Sequence, residues 1–284
     1  MLPIQENVSV DDIQDRLAEW QQGDFTLECG ELLFLDLPED ENDPYEPVFD
    51  EDVSGCVVIS QTCDIVREIG ILPNVTVCPL IKINTQRKSD IEKGQAPRYG
   101  LIDDVPDGVV ADFSRAMSVS KNLLVTWERR RGCSDEKHGI EFARSLERFF
   151  GRFAFPDAFN DSLQSLRKAI YSKHEKNSDL GAALRSIREL RAYPHANWNN
   201  EESVPVTFFV ILENDADREV KDRNAIMKAI SEKFMGIDWH EPFSLHEQGL
   251  YLATLSDITA AEYLNSYPLD LNALSYARRF QKEI

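Results

Sequence analysis

Residues Gly55 to Glu68 read GCVVISQTCDIVRE, an apolar, β-branched run that breaks into a polar turn and then a short helix. Continuous apolar runs bounded by turn residues are characteristic of strands buried on both faces. Downstream, residues 74–83 read NVTVCPLIKI. The shared character of the two runs and the short connection between them predict neighbouring strands at Gly55–Ser60 and Val75–Pro79, with Cys56 and Cys78 inside. The turn raises a chemical question, because Cys63 and Asp64 stand where the helix begins. A thiol there is a nucleophile, a ligand or a small packed residue. A helix start at Thr62 or Cys63 would lower the thiol pKa from about 8.5 through the positive field of the N-terminus, while Asp64 opposes that shift. Ser60 and Gln61 complete the turn as candidate binding residues.

The surrounding composition narrows the classes. With 284 residues, 42% hydrophobic and 29% charged, the chain can bury a sizeable core and is long enough for two domains. No apolar run approaches the roughly 20 residues needed to span a bilayer. The opening MLPIQENVSV lacks a basic and apolar leader, so a cytoplasmic protein is expected. The five cysteines (Cys29, Cys56, Cys63, Cys78, Cys133) are odd in number and show no CxxC spacing, which points to reduced thiols and away from a structural zinc. No cofactor is expected. Net charge is −19, and ten of the acidic side chains fall between Glu31 and Asp52 with no basic one among them. That balance disfavours nucleic acid and favours a basic protein partner. The segment PEDENDPYEPVFDED (Pro38–Asp52) reads as a solvated loop or as an acidic flap. The one basic concentration is Arg129, Arg130 and Arg131, followed by Arg144, Arg148 and Arg152. It would meet phosphate or pair with the acidic loop.

Periodicity organises the rest. A first helix is expected with Ser9 as N-cap, Ile13, Leu17 and Trp20 on one face, and Gly23 at its end. Short strands follow to about residue 127, with a polar loop around Arg87 and Lys88. The character then changes. Phe142, Leu146, Phe149 and Phe153 recur at helical spacing, as do Phe159, Leu163, Leu166 and Ile170. A third helix is expected with Ser178 as N-cap and Leu180, Leu184 and Ile187 inward. After it come the strand VPVTFFVILEN, a helix through AIMKAISEKF, strands at EPFSLHE and GLYLATL, and a last helix at SDITAAEYLNS. A domain boundary is expected near residue 136.

The order GELLFLDLP, GCVVIS, VTVCPLI and ADFSRAMSVSKNLL resembles the PemK/MazF family of toxin endoribonucleases, over roughly a third of the chain. The resemblance implies a small β-barrel. It also implies an arginine-proline pair at the start of the second strand and a Thr or Ser after the third. Those positions hold Ser54, Gly55 and Ile81. Neither Ser nor Gly can stabilise charge on a phosphate by the paired hydrogen bonds of a guanidinium.

Other candidates have plain readings beside the functional ones. Cys63 needs a histidine in contact to act as a nucleophile, and His138, His174, His195, His240 and His246 all lie outside the strand-rich block. Glu213, Asp215 and Asp217 follow a strand as nuclease carboxylates do, or form a polar turn. Tyr193 to Trp198 is a ligand loop, or a turn with Trp198 packed on the core.

The expected architecture is α+β. A PemK/MazF-like barrel with an N-terminal helix spans 1–135, and a helical connector and α/β domain span 136–284. The expected function is a prokaryotic binding or regulatory protein of a toxin–antitoxin or phage-defence system. The alternative is an enzyme using Cys63 and Asp64, or a nuclease with relocated residues. Binding is assigned to Ser60, Gln61, Arg129, Arg130 and Arg131.

Overall fold

The computed structural model describes residues 10–29, 32–35, 47–50, 52–92 and 96–269. The chain divides into two compact units, Met1–Gly151 and Arg152–Ile284.

In the first unit, α1 (Val10–Glu19) is followed by β1 (Phe25–Thr26), β2 (Leu32–Leu35), β3 (Pro47–Asp50) and β4 (Gly55–Val58). Then come α2 (Thr62–Ile65), β5 (Asn74–Lys82), α3 (Thr85–Glu92), β6 (Tyr99–Gly100) and β7 (Val109–Asp112). A 3-10 turn (Phe113–Arg115), β8 (Met117–Ser120), α4 (Lys121–Leu124) and α5 (Glu136–Phe150) complete it. The two runs read as neighbours do pair: β4 lies antiparallel to β5 with Cys56 opposite Pro79 and Val57 opposite Cys78. The sheet order is β1-β4-β5-β7-β6, with β8 also on β5, and every pairing in it is antiparallel. β2 and β3 form a separate ribbon.

Side chains alternate across this sheet. Cys56, Val58, Val75 and Val77 pack with Leu17, Trp20 and Leu124 on one face. Val57, Cys78 and Leu80 pack with Phe25, Phe113, Phe142 and Leu146 on the other. Burial on both faces is why β4 and β5 read as unbroken apolar runs.

Several expectations are corrected. The barrel is not shown: β1 and β6 end the path, and no pairing among the described residues closes it. The outer edge of β1 is occupied by Arg130, whose N–H donates to Phe25 O at 2.7 Å and whose carbonyl accepts from Phe25 N at 2.9 Å. Apart from these corrections, α5 packs Phe142 and Leu146 onto the first sheet, within the first compact unit. The polar stretch around Arg87 is helical, as α3, and SVSKNLL splits into β8 and α4. Ser9 lies outside the described residues.

The second unit runs α6 (Asp157–Ser162), α7 (Gln164–Lys173), α8 (Asp179–Arg185), β9 (Ile187–Pro194) and β10 (Val204–Leu212). It continues with α9 (Arg223–Met235), β11 (Phe243–Thr254), α10 (Ala260–Leu264) and β12 (Tyr267–Pro268). Its sheet order is β11-β10-β9-β12, with β10 and β11 parallel across the α9 crossover and the remaining pairs antiparallel. Phe159, Leu166, Ile170, Leu184, Ile226, Ile230 and Phe234 from the helices pack on Leu190, Ala192, Val206, Phe208 and Val210 of the strands. Ile187 opens β9 and does not extend α8, since Leu190 and Ala192 set a period of two. The two expected late strands are one, β11, interrupted where the partners of Val206 and Phe208 jump from Leu245 to Leu250. Phe153 lies past α5 and stacks near Phe155, Trp198 and Tyr267. Among the described residues no helix is long and apolar enough to cross a membrane.

Candidate functional site

β4 hands over to the turn through Thr76. The Ile59 and Ser60 N–H groups donate to Thr76 O at 2.9 and 3.3 Å, and the Ser60 hydroxyl accepts Thr76 N–H at 2.8 Å. Gln61 is extended at φ −62°, ψ 145°, and its carbonyl accepts Asp64 N–H and Ile65 N–H at 2.9 and 3.1 Å. This makes the single turn of α2. Ile65 is wholly buried beneath it and anchors the turn by apolar contact.

Segments remote in sequence stitch the turn in place. The Thr62 hydroxyl accepts Gln22 N–H at 3.1 Å, Gln22 Nε2 donates to Ile59 O at 2.8 Å, and Gln14 Nε2 donates to Val66 O at 2.5 Å. The strongest tie is Lys121, whose residue is 0% exposed. Its Nζ donates to the carbonyls of Asp64 and Arg67 at 2.8 and 2.6 Å, the first a carbonyl that the one-turn helix leaves open and the second just past its C-cap. Burial pushes this ammonium below the usual lysine value, and the nearby Asp64 charge offsets part of that. Sequence reasoning missed Lys121. The available signal was a lysine set inside the apolar run VSKNLLV.

Cys63 is exposed, and its thiol donates to Gln61 Oε1 at 3.6 Å. Among the described residues no hydrogen bond joins it to a histidine. His138 Nδ1 lies 2.8 Å from Asp135 Oδ1 and His174 Nδ1 lies 2.9 Å from Glu175 Oε1. His195 meets the Thr207 hydroxyl and stacks on His246 with ring centroids 3.6 Å apart. His240 N–H donates to the Ser162 hydroxyl. A helix of one turn also has little dipole to offer a thiolate, since the macrodipole is a sum over aligned peptide units.

The arginine run has internal partners. Arg129 Nε donates to Asp24 Oδ2 at 2.7 Å, and Asp24, 2% exposed, also accepts Gln21 N–H and Gly132 N–H. Arg131 Nε donates to Cys133 O, and Arg130 sits 3.8 Å from Glu128. The acidic loop lies largely outside the described residues. Thus Ser60, Gln61, Cys63 and Asp64 share one turn, while Arg129 to Arg131 lie on the segment that borders β1.

The positions that the family resemblance singled out are apolar or crowded. Gly55 has φ +149°, and a Cβ there would lie 2.1 Å from Thr26 O. Ser54 N–H donates to Leu80 O at 2.7 Å. Ile81 packs with Ile91, Ala96 and Val110.

In the second unit, Glu213 is buried and lies 3.9 Å from Arg188, while Asp215 pairs with Arg218 at 2.5 Å. Trp198 packs among Phe153, Phe155, Phe159 and Phe243. Among the described residues no three His, Cys, Asp or Glu side chains group as metal ligands. A shallow polar cleft lies between Asp161, Gln164, Lys168, Asp238 and His240.

No family model matches this chain, and no curated protein matches it. A solved structure of MazE-MazF from Deinococcus radiodurans is similar at 11% identity, covering 46% of this chain and 96% of that one, with a TM-score of 0.25. An overlay at that score does not establish a shared fold.

Proposed function

We propose that the protein is a non-catalytic binding protein of a prokaryotic toxin–antitoxin or phage-defence system. Its first unit is a PemK/MazF-like module without the phosphodiester-cleaving pair. The observation that carries this reading is the backbone at Gly55. A Cβ there would sit 2.1 Å from the Thr26 carbonyl, so neither proline nor any other side chain fits where the resemblance requires one. Beside it stands the short Ser54, and Ile81 is committed to apolar packing. Nothing at these positions can stabilise negative charge on a phosphate in flight.

The contact surface is the lysine-pinned turn. Gln61 and Cys63 are exposed there, and Val66, Ile71 and Leu123 are 36%, 66% and 44% exposed. α4 holds both ends of the Val66–Pro73 segment, through Lys121 N–H to Pro73 O at 2.9 Å and Lys121 Nζ to Arg67 O. A surface held rigid before contact loses less ordering entropy when it binds. The net charge of −19 selects a basic protein partner. Arg129 to Arg131 lie apart from that turn in their partners, on the segment that borders β1.

The test uses the product of the adjacent gene as the candidate partner. A complex on size exclusion that weakens as salt rises, and that Ile71→Glu or Leu123→Glu abolishes without lowering the melting temperature, supports the reading. Cleavage of single-stranded RNA that vanishes on substituting Ser54 or Ile81 sinks it. The exposure of Cys63 favours a second reading, a thiol enzyme in which Asp64 stands beside the nucleophile. A measured turnover abolished by iodoacetamide and by Cys63→Ser would establish that one instead.

A further inference from the structure

The first unit holds another group of thiols, away from the exposed turn. Cys56 on β4 is 1% exposed, Cys78 on β5 is fully buried, and Cys29 is half-buried. Thr26 and Cys56 are direct partners across β1 and β4. Past Thr26 the chain curls, because the Thr26 hydroxyl accepts Glu28 N–H at 3.1 Å, a turn that hydroxyl side chains promote. The curl returns Cys29 to the face that Cys56 occupies. Both side chains pack in the cluster of Leu17, Trp20 and Val53, and Cys29 is the neighbour that most raises the Cys56 thiol.

We propose that Cys29 and Cys56 form a reactive dithiol that a hydroperoxide converts into an intramolecular disulfide. Cys29, the more accessible thiol, meets the oxidant first. Its thiolate attacks one peroxide oxygen, the O–O bond breaks, hydroxide leaves, and Cys29 becomes a sulfenic acid. The Cys56 sulfur then attacks the Cys29 sulfur. The S–S bond forms, the S–O bond breaks, and the hydroxyl departs as water with the Cys56 proton. The sulfur pair loses two electrons and the peroxide gains them.

The order of roles follows from the environment. The hydrogen bond to Cys29 first, and burial second, hold the Cys56 thiol far above its usual range. Cys29, half-buried where Cys56 is 1% exposed, is therefore the member placed to meet the oxidant. Cys78 is a poor competitor, since burial and the Asp112 charge push it up as well. The consequence reaches beyond the pair. The chain between Cys29 and Cys56 contains all ten carboxylates of the acidic run from Glu31 to Asp52. The bond would close the chain between Cys29 and Cys56 into a covalent ring. This inference does not depend on the binding role proposed above.

The test treats fully reduced, full-length protein with hydrogen peroxide, then maps its peptides and counts free thiols under denaturing conditions. A Cys29–Cys56 linked peptide, loss of two of the five thiols, a mass lower by two hydrogen atoms and recovery with dithiothreitol are expected. Cys29→Ser should abolish the link, and Cys63→Ser should leave it intact. The wild-type map alone decides the matter if a Cys56 variant fails to fold. Oxidation that stops at a sulfinic acid on Cys29, or that only joins two chains through Cys63, overturns the proposal.

Discussion

In the first unit Asp24, Asp112 and Lys121 are 2%, 0% and 0% exposed, and each is ringed by partners. In the second unit Arg218 is 4% exposed, yet among the described residues its Nε and Nη1 find no acceptor, and neither do Arg167 Nε and Trp198 Nε1. Asp112 accepts both Arg98 N–H groups, at 2.8 and 2.6 Å, and also Arg115 and Ser114. Among the described residues of the second unit, Arg191 makes a comparable knot, donating to the Ser266 hydroxyl and carbonyl and to Tyr263 O. The difference shows two ways of fixing a fold. The first unit pins its loops with buried charge, because its strands are short and its sheet open. The second relies on an aromatic and aliphatic layer between helices and sheet, and tolerates incomplete polar pairing at its margins.

Lys121→Met puts the largest strain on this contrast. It removes two hydrogen bonds to carbonyls beneath a fully buried side chain, and should destabilise the first unit by about 3 kcal/mol. Hydrogen exchange resolves the units: amides of Thr62 to Arg67 should lose protection while β10 amides keep theirs. Unchanged protection around α2 would mean that the turn is held by Ile65 packing alone, and the contrast would fail.

Arg218→Met should do much less. The substitution discards an exposed pairing with Asp215 and a 3.1 Å bond to Lys221 O, but also removes two buried N–H groups without partners. The balance should fall within about 1 kcal/mol of neutral, in either direction. Denaturant melting with second-unit tryptophan fluorescence measures it. A loss as large as that at Lys121 would show that the guanidinium is satisfied in solution, and would remove half of the comparison.

The same division explains what the sequence made legible. β4 and β5 were readable because burial on both faces writes an unbroken apolar run, and α5 because Phe142 and Leu146 repeat at helical spacing. The turn at Ser60 to Asp64 was readable as local chemistry. Sheet closure was not, because nothing in a strand's own pattern says whether β1 meets β6 or the backbone of Arg130. Nor were the buried charges: Lys121 reaches carbonyls 57 and 54 positions away, and Arg129 finds Asp24 across 105. The reading of Arg129 to Arg131 as binding residues rested on their clustering alone. Ile187 misled because its spacing from Leu184 suits a helix, while Leu190 and Ala192, which set the strand period, lie after it.

The smallest expected effect is a pair of opposite pH responses. In the first unit the hydrogen bond that His138 donates to Asp135, supported by the Asp103 charge, raises His138 above its usual 6.5. Its contribution to stability is complete below about pH 6.5 and is lost as pH rises through the raised value. In the second unit burial first, and the stacked His246 charge next, lower His195 below 6.5. Unfolding there takes up protons, so the contribution is present above about pH 6.5 and is lost as pH falls through the lowered value. Mild alkali should therefore loosen α5 near its N-terminus, and mild acid should loosen the junction of β9 with the interruption in β11. Imidazole NMR titration gives the two directions, and unit-resolved exchange gives their structural address. His138→Asn should flatten only the first response. His246→Asn should raise the His195 value towards normal, since it removes a neighbouring positive charge and leaves the Thr207 contact in place. Two responses of the same sign would mean that the stacked pair is solvated in solution, and that the second unit screens its charges as thoroughly as the first.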